Sequence, residues 1–402
     1  MTSRPITLIV AMAAALLAGC AEAMADVQYQ LTFSTYLGGN DIETSRDVCT
    51  DAQGNIYVVG GTRSTNFPII GGTAFNPGPL NDSRADQLMD AFVAKFSPAG
   101  QLLWSTCLGG PNYDRAYAVE VDNSGNVYVA GRAGKDFPVT AGAFQTTFNG
   151  SDMTDPPASH SYGGWQNGFV AKFSPSGTKL WASYVGTTEL CRDLAIDADG
   201  DVYVPMGWAN SPLQSPTDPA WFATAFANAY QPTRNGKSEC GVVKVKSDGS
   251  AVLWATWLGG SGSDSMAASI RVDASKNVYV LPQTNSTDAP TTAGAFDRTY
   301  NGAADYYLAK LSPDGHQLIY GTYLGGSGDE FLSTHNLAVD ANGNAYVSVS
   351  TGSPDFPTTA GVFDRTYNGG REWAVVKISP TGALLASTYV GGTGGENPDG
   401  IY

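Results

Sequence analysis

A six-residue segment recurs along the chain and constrains its fold more than any other feature. It reads STYLGG at residues 34–39 and returns, with small changes, at residues 105–110, 182–187, 255–260, 321–326 and 387–392. The first glycines of successive copies are 66 to 77 residues apart. Repeats of this length are typical of stacked supersecondary units, none of which can bury its apolar face alone. The sequence therefore predicts five full repeats, approximately at residues 40–110, 111–187, 188–260, 261–326 and 327–392.

Each repeat contains four short β-rich runs, which we label strands A to D in chain order. In the second repeat an alternating run from Ala116 ends in an aspartate and a glycine turn, and residues 127–131 follow as the second strand of a hairpin. A polar insert then leads to a third run at residues 168–173, which a Ser-Pro-x-Gly turn connects to the fourth. Four such strands per repeat predict an all-β fold, a β-propeller of about five four-stranded blades.

The strand count leaves ring closure open. A strand D segment at residues 28–37 precedes every A–B–C set, and a sixth strand A begins at residues 397–402. One alternative is a five-bladed ring that the N-terminal strand seals, and another is an incomplete six-bladed ring. A truncated gene product is a third alternative.

The repeats resemble the SBBP β-propeller repeat proteins of bacteria. The resemblance is strongest at residues 333–357 and 360–382, which include VDANGNAYV and DFPTTAGVF, and it covers roughly residues 28–395. It implies an exported propeller. It implies no catalytic residues, because propellers carry many unrelated functions and this family has no shared catalytic motif.

The first 25 residues have the pattern of an export signal peptide. Arg4 precedes an apolar stretch at residues 6–17 that is too short for a mature transmembrane helix. Residues 17–20, LAGC, are typical of a bacterial lipobox and predict lipidation of Cys20, whereas residues 23–25, AMA, are an alternative cleavage site that would release a free protein. We expect a single propeller domain at residues 26–402, as an outer-membrane lipoprotein or a periplasmic, cell-surface or secreted protein. Its membrane contact would be through the lipid alone.

The net charge argues against two classes of partner, and the cysteines bear on disulfide formation. A net charge of −15 argues against nucleic acid and anionic membrane surfaces, because no basic stripe is present to replace counterions at phosphates. Outside the signal peptide, the cysteines are compatible with two disulfides in an oxidising compartment, but we interpret them as mostly buried small side chains: Cys49, Cys107, Cys191 and Cys240.

Two groups of carboxylates are candidate cation ligands. One acid recurs at every D–A crossover, and such a ring would either bind a hard cation such as calcium or a cationic ligand, or cap N–H groups between blades: Glu43, Asp114, Glu189, Asp264, Glu330 and Glu396. The second group is Asp197, Asp199 and Asp201, which resembles the start of a calcium loop, although the downstream glutamate is missing and the equivalent segments read as plain hairpin turns. Calcium is therefore the one cofactor expected.

A recurring lysine and a group of aromatic residues are two further features of the sequence. A lysine occupies the same position of strand C in every repeat, and we interpret it as structural, with its ammonium group near an aspartate: Lys95, Lys172, Lys244, Lys310 and Lys377. The longest inserts, in repeats two and three, are rich in aromatic residues that either bind a partner or form a small cluster beneath a loop: Tyr162, Trp165, Trp208, Trp221, Phe222 and Phe226, with His160.

These features favour a non-enzymatic binding or interaction scaffold at the bacterial envelope, with a protein or a glycan as its partner. The chain has three histidines and contains neither a Gly-x-Ser-x-Gly elbow nor an HExxH or phosphate-loop motif. The alternative is a carboxylate-based carbohydrate-active enzyme, a glycoside hydrolase or lyase, on the propeller scaffold.

Overall fold

The structure is a computed structural model that describes residues 31–71, 89–150, 166–186, 191–209, 218–265, 268–331, 335–396 and 400–401. Within these ranges the chain forms five antiparallel sheets, each inside one predicted repeat. The prediction of an all-β propeller of about five four-stranded blades is confirmed.

The sheets are as follows. Blade 1 contains β1 (Glu43–Thr50), β2 (Ile56–Thr62), β3 (Asp90–Phe96) and β4 (Leu102–Leu108). Blade 2 contains β5 (Arg115–Val121), β6 (Val127–Ala133), β7 (Asn167–Phe173) and β8 (Lys179–Val185). Blade 3 contains β9 (Ala195–Ile196), β10 (Val202–Ala209), β11 (Ser238–Val245) and β12 (Val252–Leu258), and its insert contains the short helix α1 (Phe222–Ala225).

The last two blades have interrupted strands. Blade 4 contains β13 (Ser269–Val272), β14 (Val278–Leu281), β15 (Gln283–Thr284), β16 (Asp305–Leu311) and β17 (Leu318–Leu324). Blade 5 contains β18 (Glu330–Phe331), β19 (Leu337–Val339), β20 (Ala345–Thr351), β21 (Glu372–Ile378) and β22 (Leu384–Val390). Strands β14 and β15 together form strand B, which is divided at Pro282 because proline has no N–H to donate.

Strands B and C carry the core. In blade 2 every residue of β6 is buried, and in β7 all but Lys172 are buried. Strands buried on both faces need near-continuous apolar runs, and VYVA and GFVA supply them. The outer strand β8 begins with partly exposed residues and is buried from Trp181 onward.

The chain divides into two compact units. One consists of Gln30–Ala227 with Gly241–Ala255, and its core includes Val59, Val93, Val129, Phe169 and Ala171. The other includes Asn228–Cys240 and Thr256–Tyr402, and its core includes Leu281, Leu308, Val347, Val376 and Tyr389.

The B–C inserts protect the outer edges of the blades. In blade 2 the Thr140 N–H donates to the Ala182 carbonyl over 2.8 Å, and the Tyr184 N–H donates to the Gln145 carbonyl over 3.1 Å. In blade 4 the Tyr323 N–H donates in the same way to Asp297. The insert therefore runs back along strand D of its own blade. It forms hydrogen bonds with backbone groups of this edge strand, which would otherwise be able to pair with another chain.

The structure also bears on the cysteines and on membrane spans. Cys49, Cys107, Cys191 and Cys240 form no disulfide, and all but Cys49 are buried. Within the described ranges, the chain contains no helix with the length and apolar character needed to cross a membrane.

Candidate functional site

An aspartate at the end of each strand A organises the following hairpin. In blade 4 the Asp273 carboxylate accepts the N–H groups of Ser275 and Asn277, both over 2.9 Å, and the Asn277 amide over 2.8 Å. The Tyr279 hydroxyl lies 3.2 Å from it and Lys310 Nζ lies 3.5 Å from it. Burial alone would raise the pKa of Asp273, but the hydrogen bonds from Asn277 and the charge of Lys310 outweigh burial and lower it.

The same aspartate recurs in every blade, and in blade 4 its tyrosine partner also reaches the next hairpin. The Tyr279 hydroxyl lies 2.9 Å from the carbonyl oxygen of Gly343 in blade 5. The lysine of strand C lies over the ring of this tyrosine, with 4.7 Å between Lys310 Nζ and the ring centroid of Tyr279. The aspartate, tyrosine and lysine of blade 4 thus join strands within this blade and connect it to blade 5. The equivalent aspartates that bind a tyrosine hydroxyl are Asp51, Asp122, Asp197 and Asp340.

Blade 3 departs from this pattern at one residue. Asp201 stands where the other hairpins have asparagine, so it has no side-chain amide to donate to Asp197. Lys244 Nζ instead lies 3.1 Å from Asp197 Oδ2 and 3.2 Å from Asp201 Oδ2. Carboxylate oxygens of Asp197, Asp199 and Asp201 lie within 4.8 Å of one another. The structure brings the predicted cation ligands together, and it also places an ammonium group between two of them.

A polar pocket lies beside this hairpin. It has a volume of about 440 Å³ and lies between the A–B hairpins of blades 2 and 3. Asp122, Tyr128, Lys172, Asp199 and Ser247 contribute to its walls. Burial lowers the pKa of Lys172, whose Nζ lies 3.4 Å from the Ser247 carbonyl oxygen. Sequence reasoning assigned these tight turns to the scaffold and missed the pocket, because a gap between neighbouring hairpins leaves no mark in the sequence.

The crossover acids accept hydrogen bonds from a crossover glycine and from hydroxyl groups at the end of strand B. In blade 4 Asp264 accepts hydrogen bonds from the Gly260 N–H over 3.0 Å, the Thr284 hydroxyl over 2.5 Å and the Ser286 hydroxyl over 3.0 Å. In blade 5 Glu330 has the same three kinds of donor. Asp114, Asp264 and Glu330 are fully buried, while Glu43 and Glu396 are partly exposed. These contacts correspond to the capping alternative of the sequence analysis, and cation binding by these acids stays a prediction.

A second acid, which the sequence analysis did not single out, faces the crossover acid. Asp305, the first residue of strand C in blade 4, lies beside Glu330 of the next crossover. A methyl group on Gly325 would lie 2.2 Å from Asp305 Oδ1 and 2.6 Å from Glu330 Oε2, so the first glycine of the STYLGG segment makes room for both carboxyl groups. Burial raises the pKa of both acids.

The sequence did contain a signal for this second acid. An acidic residue lies five positions before the strand C lysine in four of the five repeats, and Asn167 stands there in blade 2: Asp90, Glu239, Asp305 and Glu372. Glu239 is fully buried, and burial raises its pKa to about 7.

The aromatic residues of the third insert form a cluster with the second insert. Trp221 stacks parallel to Phe226 with 6.4 Å between ring centroids, and its edge meets Phe144 at 6.1 Å. Its indole N–H donates to the Gln145 side chain over 2.9 Å. Phe222 and Phe226 are buried, whereas Trp221 is partly exposed. The other aromatic candidates, Tyr162 and Trp165, lie outside the described residues, as do Cys20, His160 and Glu189, and so does the side chain of Trp208.

Comparisons with known proteins agree with the repeat architecture. Over 92% of its length the chain is 24% identical to the Regulatory protein FlaEY of Caulobacter vibrioides, and it covers 38% of that protein. Over 35% of its length it is 28% identical to an uncharacterized WD repeat-containing protein of Acanthamoeba polyphaga mimivirus, of which it covers 10%. The chain thus spans well under half the length of either relative.

A crystal structure of a protein of unknown function from Dyadobacter fermentans aligns with 87% of this chain and 95% of its own, at 13% identity and a TM-score of 0.39. The fold assignment does not depend on it, because the strand order already establishes the blades. The SBBP beta-propeller repeat matches residues 32–68, 103–138 and 319–357. The chain therefore carries SBBP β-propeller repeats, which confirms the family resemblance found in the sequence.

Proposed function

We propose that this chain is an exported or lipid-anchored β-propeller that acts as a non-enzymatic binding scaffold at the bacterial envelope, with a protein or a glycan as its partner. The observation that supports the proposal is the aromatic cluster of the third insert. Trp221 exposes part of its ring, while Phe226 and the Gln145 side chain hold the indole in place. A tryptophan fixed before binding loses little side-chain entropy when a partner covers it.

Blade 3 also carries other departures from the repeat. Its hairpin has Asp201 in place of asparagine, and the polar pocket opens beside it. The regular positions of the blades are engaged in hydrogen bonds within the scaffold. We therefore assign specific recognition to the residues of blade 3 that have no equivalent in the other blades.

The experiment compares binding of the purified chain to protein and glycan fractions of the producing bacterium's envelope. We expect saturable binding that weakens about tenfold in Trp221→Ala, a loss of about 1.4 kcal/mol. The matched control is Phe363→Ala, which removes a more exposed aromatic residue, 64% accessible, from the insert of the regular blade 5. Equal binding by the wild type and Trp221→Ala would contradict the proposed surface. Release of new reducing or unsaturated sugar ends from the glycan fraction would contradict the non-enzymatic assignment.

The lipid anchor is tested separately. Cells that express the full chain are labelled with a fatty acid, and the protein is recovered. We expect label in the wild type and none in Cys20→Ala. Ser3→Ala is the control in the same segment, and label that persists in Cys20→Ala would contradict lipidation at this residue.

A further inference from the structure

Four arginine side chains of the first three blades converge on one tyrosine, Tyr117. Their guanidinium carbons lie 5.3 to 5.7 Å from the centroid of its ring: Arg46, Arg115, Arg132 and Arg192. Arg115 and Arg132 are buried, Arg192 is half-buried and Arg46 is exposed. All four belong to the same compact unit. In a chain with a net charge of −15, this arginine cluster is a local concentration of positive charge.

The backbone of strand A directs part of the cluster. The register of the β1–β2 ladder shifts at Arg46, and that of the β5–β6 ladder shifts at Tyr117, so neither residue has a partner on strand B. Arg192 occupies the equivalent position of blade 3, five residues before the strand A aspartate. Blades 4 and 5 have Ala268 and His335 there. Because such bulges turn a side chain out of the ladder and are frequent beside functional sites, these positions merit a functional explanation.

The other two arginines lie opposite each other in the first hairpin of blade 2. Arg115 on β5 and Arg132 on β6 are cross-strand partners. Arg132 also lies over the ring of Tyr113, with 4.3 Å between its guanidinium carbon and the ring centroid, and Arg115 Nη1 donates to the Tyr113 hydroxyl over 3.3 Å. The other blades have no arginine at either position. Like charges directly opposite each other destabilise a sheet, so blade construction does not explain this pair.

Among the described residues, nothing neutralises the charge of Arg115. This side chain is 6% exposed, and its Nε and Nη2 atoms have no hydrogen-bond partner in the described part of the chain. In the same ranges no carboxylate oxygen lies within 4.0 Å of the guanidinium group of Arg115 or of Arg46. Partial burial and the charges of Arg115 and Arg132 lower the pKa of Arg46. A buried guanidinium group without acceptors is costly, and a bound anion would supply the acceptors.

We propose that the arginine cluster binds an oxyanion group, the carboxylate or phosphate of a small ligand. The planar fork of arginine matches two oxygens of either group. Arg46 and Arg192 are accessible for direct contact, and the buried Arg115 and Arg132 add positive charge behind them. A long polyanion is a poor ligand, because the rest of this acidic chain would repel it. The site shares no residue with the cluster around Trp221 and does not depend on the function proposed above.

The experiment is isothermal titration of the full chain at constant ionic strength in a chloride buffer. The probes are inorganic phosphate and D-glucuronate, which separate the two oxyanion groups, and D-glucose, which matches glucuronate without its charge. We expect one site per chain for the preferred anion, with a dissociation constant of about 1 mM or lower, and no binding of glucose.

Variants at the accessible arginines test the site itself. Arg46→Met and Arg192→Met each remove one guanidinium group and keep an apolar stem. We expect each to weaken anion binding at least about tenfold, because a charge-assisted hydrogen bond is lost. The matched control is Arg371→Met, which removes an arginine that lies on a single ring, 3.5 Å from the centroid of Phe331. This control should bind the anion as the wild type does.

Arg115→Met tests the buried charge by a second measurement. If a ligand neutralises the cluster, the wild type in chloride alone contains an uncompensated charge that the variant lacks. We therefore expect Arg115→Met to melt about 2 °C or more above the wild type in chloride. Phosphate in excess should raise the melting temperature of the wild type more than that of the variant, whose response measures the general effect of the salt.

Three results would overturn the proposal. The first is no binding of either anion, or equal binding of glucose and glucuronate. The second is anion binding that Arg46→Met and Arg192→Met leave unchanged, or that Arg371→Met weakens as much as they do. The third is a lower melting temperature of Arg115→Met in chloride, which would show that an acid of the chain itself neutralises the cluster.

Discussion

Blades 3 and 4 have the same four strand positions but satisfy their repeated polar residues differently. In blade 4 the charge of the hairpin aspartate Asp273 is stabilised mainly by uncharged hydrogen-bond donors, and Lys310 Nζ lies 3.5 Å away. In blade 3 Lys244 lies between two carboxylates. Both inserts follow strand D of their own blade, and the insert of blade 3 also contributes a helix and an aromatic cluster. The comparison teaches that repeated positions maintain the blade, and that specificity is to be sought where a blade departs from the repeat.

The largest loss of stability is expected when the crossover acid of blade 4, Asp264, is replaced. In Asp264→Ala the buried hydroxyls of Thr284 and Ser286 and the Gly260 N–H lose their acceptor. We expect the free energy of unfolding to fall by about 3 kcal/mol, measured by urea denaturation. The control is Asp288→Ala, an exposed acid that accepts from Ser261, with an expected loss of about 1 kcal/mol or less. Equal losses would contradict a scaffold role for Asp264.

The next largest change in unfolding free energy is expected when the strand C lysine of blade 3 is replaced, and the strand C lysine of blade 4 is its control. Lys244→Met leaves Asp197 and Asp201 close together without a cation, whereas Lys310→Met leaves Asp273 with its neutral donors. We expect losses of about 3 kcal/mol for Lys244→Met and about 1 kcal/mol for Lys310→Met, because an uncompensated buried charge is costly. Urea denaturation of both variants measures the difference. Similar losses would show that the two blades use their lysines alike.

The pH dependence of stability tests the buried acids of strand C. Burial raises the pKa of Glu239 from 4.5 to about 7, so the folded protein holds this proton more tightly than the unfolded chain. The resulting stabilisation is complete below pH 4.5 and is lost as the pH rises to about 7. We expect Glu239→Gln to reduce the fall in unfolding free energy between pH 5 and pH 8 by about 2 kcal/mol. Parallel curves for the wild type and the variant would contradict this assignment. The hairpin aspartates, whose pKa is lowered, act only in more acidic solution.

The smallest effect is expected when blade 3 is made regular. Asp201→Asn restores the amide that Asn277 provides in blade 4 and removes one of the two acids beside Lys244. The gained amide bond and the lost ion pair oppose each other, so the change in unfolding free energy should stay within about 1 kcal/mol. Thermal unfolding measures it. A large loss would show that Asp201 has a structural role that asparagine cannot fill.

Much of the fold was predictable because the repeats report the strands and turns directly. The A–B hairpins and the C–D turns were found from their glycines and aspartates, since turn chemistry depends on local residues. The edge contacts of the inserts were not found, because Thr140 and Gln145 meet residues of strand D that lie far away in the sequence. The proximity of Asp305 to Glu330 brings strand C of one blade next to the crossover of the next, and a repeat-by-repeat comparison does not reveal contacts between repeats.

The candidate sites were predictable to a lesser degree. The sequence located the carboxylates of blade 3, but Lys244 belongs to a distant strand, and its position between Asp197 and Asp201 depends on the sheet. The cluster around Trp221 includes residues of two inserts, 144–145 and 221–226. Such contacts depend on how inserts of variable length meet, which composition does not determine.

The central claim is that hydrogen bonds within the scaffold hold the recurring acids, and the most direct test is thermal unfolding after chelation, with and without millimolar calcium. The proteins to compare are the wild type, Asp264→Ala and Asp199→Ala, which removes an exposed member of the blade 3 group. We predict that calcium leaves the wild-type melting temperature unchanged within about 1 °C, and that Asp264→Ala melts lower by the same amount in both conditions. A calcium-dependent rise of several degrees that either variant abolishes would contradict the claim and identify the corresponding acids as a cation site.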